Sequence, residues 1–156
     1  MSHRCLRLLA AILALQLAAA ALAEQRLVSG NSGVVIVESI GVETLGGAFT
    51  ALIPAGTELP ASYFAIFSTA ADAQREVQVR VFAGTEALVR DNRSLGEFIV
   101  ANVRPAPRGV PRIEVALRVD TTGRFHISAR DLAAEGTLSV SRAGGESEMP
   151  VRIGKK

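Results

Sequence analysis

The chain has 156 residues, with 17 basic against 15 acidic side chains, one cysteine, no tryptophan and few aromatics of any kind. So even a charge balance, with no basic and aromatic face, excludes a nucleic-acid partner. A single cysteine, Cys5, excludes a disulfide framework and a cysteine-built metal site.

Residues 1–23 have the three parts of a secretory signal peptide. Arg4 and Arg7 supply the positive start, residues 8–20 are apolar except for Gln16, and Ala21-Leu22-Ala23 is a small-residue cleavage site. Cleavage is expected before Glu24, with export to the periplasm or the extracellular space. An uncleaved anchor is the competing reading, but the apolar run is short of the ~20 residues a spanning helix needs. Removing the segment takes Arg4, Arg7 and Cys5 with it, leaving equal numbers of acids and bases and no thiol. What remains is long enough for one domain with its own core.

Residues 24–33 include Ser29-Gly30-Asn31-Ser32-Gly33 and read as a flexible leader. Residues 34–37 are a short apolar strand. Residues 43–47 form a turn in which Gly46 and Gly47 permit positive φ, and residues 48–53 form the next strand. Pro54-Ala55-Gly56-Thr57 ends it. Residues 63–67 are aromatic and β-branched and read as a strand. A polar loop, 68–75, follows with Ser68, Thr69, Asp72 and Gln74, all of them types that bond backbone. Val77, Val79 and Val81 then alternate with Gln78 and Arg80, the period of a half-buried strand.

Further strands are expected near residues 87–89 and 97–100, separated by the turn Asp91-Asn92-Arg93-Ser94. Residues 104–111 hold three prolines and Gly109 and form an extended connection. Ile113, Val115, Leu117 and Val119 alternate with Glu114, Ala116 and Arg118, and Phe125, Ile127 and Ala129 return beside them. Residues 131–135 read as one helical turn or a loop, 137–141 as a strand, and 151–153 as a final short strand. Many short strands at even spacing with turn signals give an all-β fold, a β-sandwich of about eight short strands. The domain is expected to span residues 34–142, followed by a short tail, 143–156.

Enzyme chemistry has no signature. His126, the one histidine outside the signal segment 1–23, sits mid-strand, and no spacing of Cys, His or carboxylates suits a metal. The glycines at 41, 46 and 47 lack the lysine and the helix of a phosphate-binding loop. No cofactor is expected.

Four segments, in order, resemble the peptide-binding β-domain of the heat shock protein 70 chaperone family. They are Ile40-Gly41-Val42-Glu43-Thr44-Leu45-Gly46-Gly47, Phe67-Ser68-Thr69-Ala70-Ala71-Asp72-Ala73-Gln74, Asp91-Asn92-Arg93-Ser94-Leu95-Gly96-Glu97-Phe98, and the run from Pro105 through Gly109 and Pro111 to Val115. The resemblance covers about residues 38–131. It implies a cleft that holds an extended peptide, closed by an arch and floored by a pocket for one apolar side chain. By position the arch would be Leu45 and Ala70, and the pocket Val42, Phe67, Val77, Val79 and Ile113. Thr44, Ser68 and Gln74 fall where the family bonds the peptide backbone.

The departures shape the expectation. Val34-Val35-Ile36-Val37 stands where the family carries an acidic, leucine-rich linker to an ATPase domain. Residues 146–156 are too short for the family's helical lid, which Arg108 would latch by position. The expectation is an exported, ATP-independent module that binds extended apolar peptides or unfolded segments and takes no nucleotide. The alternative is a structural or partner-docking sandwich whose cleft is not used. Tyr63 and Phe64, where the family is more polar, are expected as an exposed pair that could dock a separate protein.

Overall fold

The computed structural model describes residues 26–134, 136–143 and 150–156, with Leu45 described in its backbone only. The expected export signal, residues 1–23, lies outside them, as do residues 144–149 of the expected tail. Among the described residues there are eleven strands. They are β1 (Arg26–Ser29), β2 (Val34–Ile36), β3 (Ser39–Thr44), β4 (Ala48–Ile53), β5 (Ala61–Phe67), β6 (Val77–Gly84), β7 (Arg93–Ala101), β8 (Ile113–Val119), β9 (Phe125–Asp131), β10 (Gly136–Ala143) and β11 (Ile153–Lys155). Single 3-10 turns occupy Leu45–Gly47 and Val89–Asp91. The all-β reading holds.

Nine strands form one antiparallel ladder in the order β1-β5-β8-β9-β10-β7-β6-β3-β4, and β2 with β11 makes a small second sheet. The long ladder is folded over at β10. Gly136 to Leu138 pair with β9, whereas Ser139 to Ala143 pair with β7. Each half turns one face inward, and the inward side chains of both halves meet in a single apolar cluster. The alternation visible in the sequence is the cause. Val77, Val79 and Val81 of β6, and Ile113, Val115, Leu117 and Val119 of β8, all point into that cluster.

Several elements differ from expectation. The leader is not free, because Arg26–Ser29 pairs with β5 as β1. β3 reaches back to Ser39, where Gly41 and Glu43 hide the strand from a hydropathy pattern. A side chain at Gly41 would meet the Thr50 carbonyl oxygen of β4 at 2.2 Å, so the close approach of the two strands requires glycine. The strand expected at 87–89 is a lone bridge from Leu88 to Ala48 that runs into the second 3-10 turn. The last strand lies two residues later than expected, because Val151 is buried in the core with its N–H on Gly123 O at 2.8 Å, and pairing with β2 starts at Ile153.

Tyr63 and Phe64 are not an exposed pair. Neighbouring strand residues face opposite sides, and β5 turns Ala61, Tyr63, Ala65 and Phe67 inward. Phe64 faces outward alone and is half-buried, with the guanidinium groups of Arg26 and Arg118 at 5.0 and 5.8 Å from its ring centre.

Candidate functional site

Among the described residues, the connections after β3, β5 and β7 leave the sandwich at one end, beside the turn that follows Asp131. β3 and β6 run antiparallel with Val42 opposite Val81. Continued along β3, that register sets Thr44 beside Val79 and Leu45 beside Gln78. The Leu45–Gly47 turn therefore stands at the end where β6 begins. β5 finishes at Phe67, opposite Ile113, so loop 68–76 and connection 102–112 emerge at the same end.

The five residues expected to line the pocket come together, but as core. Val42, Phe67, Val77, Val79 and Ile113 are all at most 7% exposed and belong to the one apolar cluster. Ala70 is half-buried on loop 68–76. Of its expected arch partner, Leu45, only the backbone position is described, within the turn.

The three polar residues are occupied within the fold. Thr44 Oγ1 donates to the Ala48 carbonyl at 3.2 Å and lies 3.2 Å from the Thr50 hydroxyl, which ties the two strands that flank the turn. Ser68 Oγ donates to the Pro111 carbonyl at 2.6 Å. Gln74 Oε1 accepts from the backbone N–H groups of Ala70 and Ala71 at 3.0 and 3.2 Å, and Nε2 donates to the Glu76 carbonyl at 2.8 Å. One amide side chain thus closes the loop on itself.

Connection 102–112 braces that loop from outside. The Ala73 N–H donates to Ala106 O at 2.9 Å, Gly109 N–H to Thr69 O at 3.0 Å, and Val103 N–H to Arg75 O at 3.1 Å. The Arg108 N–H donates to Asp72 Oδ1 at 2.9 Å, so Arg108 serves here through its backbone. Ala73 is held at φ 53, a left-handed conformation that the surrounding bonds maintain. Thr69 is fully buried, and its hydroxyl has no hydrogen-bond partner.

Sequence reasoning missed this bracing. Its signal was Asp72, an acceptor on a polar loop, together with a proline-rich connection too extended to join a strand. Also unforeseen is an open groove of about 460 Å³, lined by Arg75, Glu76, Ala101, Asn102, Val103, Arg104 and Pro105. Asn102 adopts φ 65 there and donates from Nδ2 to Ser139 Oγ at 2.8 Å.

The outer face beside the turn is charged. Arg80 of β6 bonds Glu43 of β3 and lies 3.8 Å from Glu97 of β7, and Gln78 donates to Glu97. These pairs cross three strands, but Arg80 is half-exposed and water screens them, so each contributes at most about 1 kcal/mol. Their use is register more than strength. Among the described residues no group of three or more His, Cys, Asp or Glu side chains converges as a metal site.

The arrangement is a rim at one end of the sandwich, where a glycine turn and a doubly tied loop both emerge from a packed apolar core. Such a rim can present backbone donors and acceptors with little ordering cost.

The family model described as "Hsp70 protein" matches residues 26–150. The chain is similar to the mitochondrial heat shock protein SSC3 of Saccharomyces cerevisiae (strain ATCC 204508 / S288c), with 47% identity over 106 residues. That stretch covers 68% of this chain and 16% of the relative, so the chain spans only a small part of the protein it matches. With a family model that takes in most of its length, and with an all-β fold, the chain belongs to the Hsp70 family.

Proposed function

We propose that this domain holds extended apolar segments of unfolded protein between the Leu45–Gly47 turn and loop 68–76. It does so outside the cytoplasm and without nucleotide of its own. The observation that carries the reading is the bracing of loop 68–76 by Gln74, Ser68 and connection 102–112. A rim fixed before the ligand arrives loses little entropy when it binds. In this reading Thr44, Ser68 and Gln74 are positioning residues. They hold the rims, and backbone groups would meet the peptide, which makes recognition tolerant of sequence.

The energetics favour weak, fast binding. Burying one leucine contributes about 2–3 kcal/mol, and each net hydrogen bond about 1 kcal/mol. Ordering the peptide opposes both. The expected strength is about micromolar or weaker, with rapid release.

The test is fluorescence anisotropy of a labelled leucine-containing peptide against the purified chain lacking residues 1–23. Weak saturable binding is expected, and Leu45→Ala should weaken it with little change in Tm. No anisotropy change at roughly millimolar protein, far above the expected strength, sinks the reading. Export is tested separately by mass spectrometry of the cell-envelope fraction, where the chain should begin at Glu24. A chain that begins at Met1 in the cytoplasm refutes it.

A second reading has its own support. Val42, Phe67, Val77, Val79 and Ile113 are already packed in the core, so the floor offers a ligand little free volume. A docking sandwich without peptide binding fits that packing, and the same anisotropy experiment separates the two.

A further inference from the structure

β5 has two edges. One carries β8 along the whole strand, from Ala61 opposite Val119 to Phe67 opposite Ile113. Among the described residues the other carries only β1, in the register Arg26–Phe64, Leu27–Tyr63, Val28–Ser62 and Ser29–Ala61. An edge with unpaired N–H and C=O groups is a template for any strand of suitable chemistry. Here the occupant comes from the same chain.

That occupant is lightly held. All four residues of β1 are exposed, and none joins the core cluster. Leu27 and Val28, at 42% and 46% exposure, point to opposite faces of the sheet, so β1 has no buried face at all. What holds it is the ladder itself and the stacking of Arg26 over Phe64. The attachment that follows is firmer. The Gly30 N–H donates to Pro60 O at 2.9 Å, and Gly30 lies so close to Pro60 that a Cβ would stand 2.5 Å from its ring. Residues 30–33 stay tied as well, with the Ser32 N–H donating to Leu59 O at 3.4 Å and the Gly33 N–H to Glu58 Oε1 at 3.2 Å, so the pivot for β1 lies at the Ser29–Gly30 junction. β1 can therefore leave β5 without disturbing any buried side chain.

We propose that the β5 edge is a strand-acceptor site, and that its partner in trans is β1 of a second copy of this chain. The segment known to fit the edge is Arg26–Ser29, with its register and its Arg26–Phe64 contact, and every copy carries one. Exchange replaces each contact with its equivalent, so the dimer loses no ladder bonds and is opposed mainly by association entropy. The tether keeps β1 at a high effective concentration in cis. Exchange is therefore a property of concentrated protein.

Cysteine pairs test it in the full chain with Cys5→Ser. Val28 and Ser62 are opposed across the ladder, within reach of a disulfide, and neither belongs to the core. Chains carrying Val28→Cys and chains carrying Ser62→Cys, given tags of different mass, are mixed, concentrated, oxidised and run on a non-reducing gel. The expected result is a mixed covalent dimer whose yield rises with concentration. The double variant should close within one chain when dilute and form a covalent dimer when concentrated. The proposal is overturned if the double variant closes internally at every concentration while the mixture gives no mixed dimer. It is equally overturned if the pair never forms a disulfide, or if only Val28→Cys chains link to one another, which would mean that β1 edges meet without exchange.

Discussion

The side-chain oxygen of Gln74 accepts from the backbone N–H of Ala70 at 3.0 Å, and the same oxygen takes the N–H of Ala71. Gln74→Ala removes an acceptor from two amides at once. The expected cost is about 1–2 kcal/mol, with faster hydrogen exchange at Ala70 and Ala71. Peptide binding should fall as well, because the rim loosens. Unchanged exchange at those amides would mean that Gln74 does not shape the loop.

Ile113 and Val110 lie three residues apart and differ completely in surroundings. Ile113 is fully buried, and Val110 is 59% exposed. Ile113→Ala should destabilise the domain by about 2–5 kcal/mol, whereas Val110→Ala should stay within about 0.5 kcal/mol. Chemical denaturation measures both. A mild Ile113→Ala would remove that residue from the core.

Gly41 and Gly46 should both resist alanine, for different reasons. At Gly41 the new Cβ would stand 2.2 Å from Thr50 O, on the backbone of the adjoining strand, so β3 and β4 must part. The expected cost is about 1–3 kcal/mol, with faster exchange along β4. At Gly46 there is open space, but φ is +74, so strain alone costs about 1–2 kcal/mol and β4 exchange is unchanged. If Gly41→Ala leaves β4 exchange as it was, close strand approach is not what the glycine serves.

Tyr63 is the one tyrosine in a chain without tryptophan, so its ionisation can be followed by ultraviolet absorbance alone. Burial disfavours the phenolate and raises its pKa above the ordinary 10.0. A phenol whose folded pKa exceeds its unfolded value contributes stability that is whole below pH 10.0 and is lost as pH rises through the folded value. The tyrosinate signal should therefore appear above pH 10.0 and coincide with falling stability. A midpoint at or below 10.0 would contradict the inward orientation of Tyr63.

Strands with apolar and polar residues in strict alternation were legible. β6 and β8 follow Val77, Val79, Val81 and Ile113, Val115, Leu117, Val119 as the sequence suggests. β5 was legible as a strand but not in its facing, because Phe64 and Ile66 make its outer side apolar too. That ambiguity produced the expectation of an exposed Tyr63–Phe64 pair. β1 escaped notice because it buries nothing, and hydropathy patterns report only burial. The sequence assigned the candidate residues to strands or loops, but it carried neither their packing in the core nor their bonds. Ser68 depends on Pro111, 43 positions away, and no local pattern carries that pairing.

β10 is the seam where the ladder folds over, with β9 on its first half and β7 on its second. In the order of synthesis it follows every other strand of the nine. A growing chain therefore makes both walls of the sandwich before the strand that joins them. Each wall is itself assembled from distant segments, β5 with β8 and β3 with β6. Until β10 emerges, no ladder joins the two walls, and their apolar inner faces lack the strand that closes the sheet. A domain whose proposed task is to cover the exposed segments of other proteins thus passes through a stage in which its own need covering.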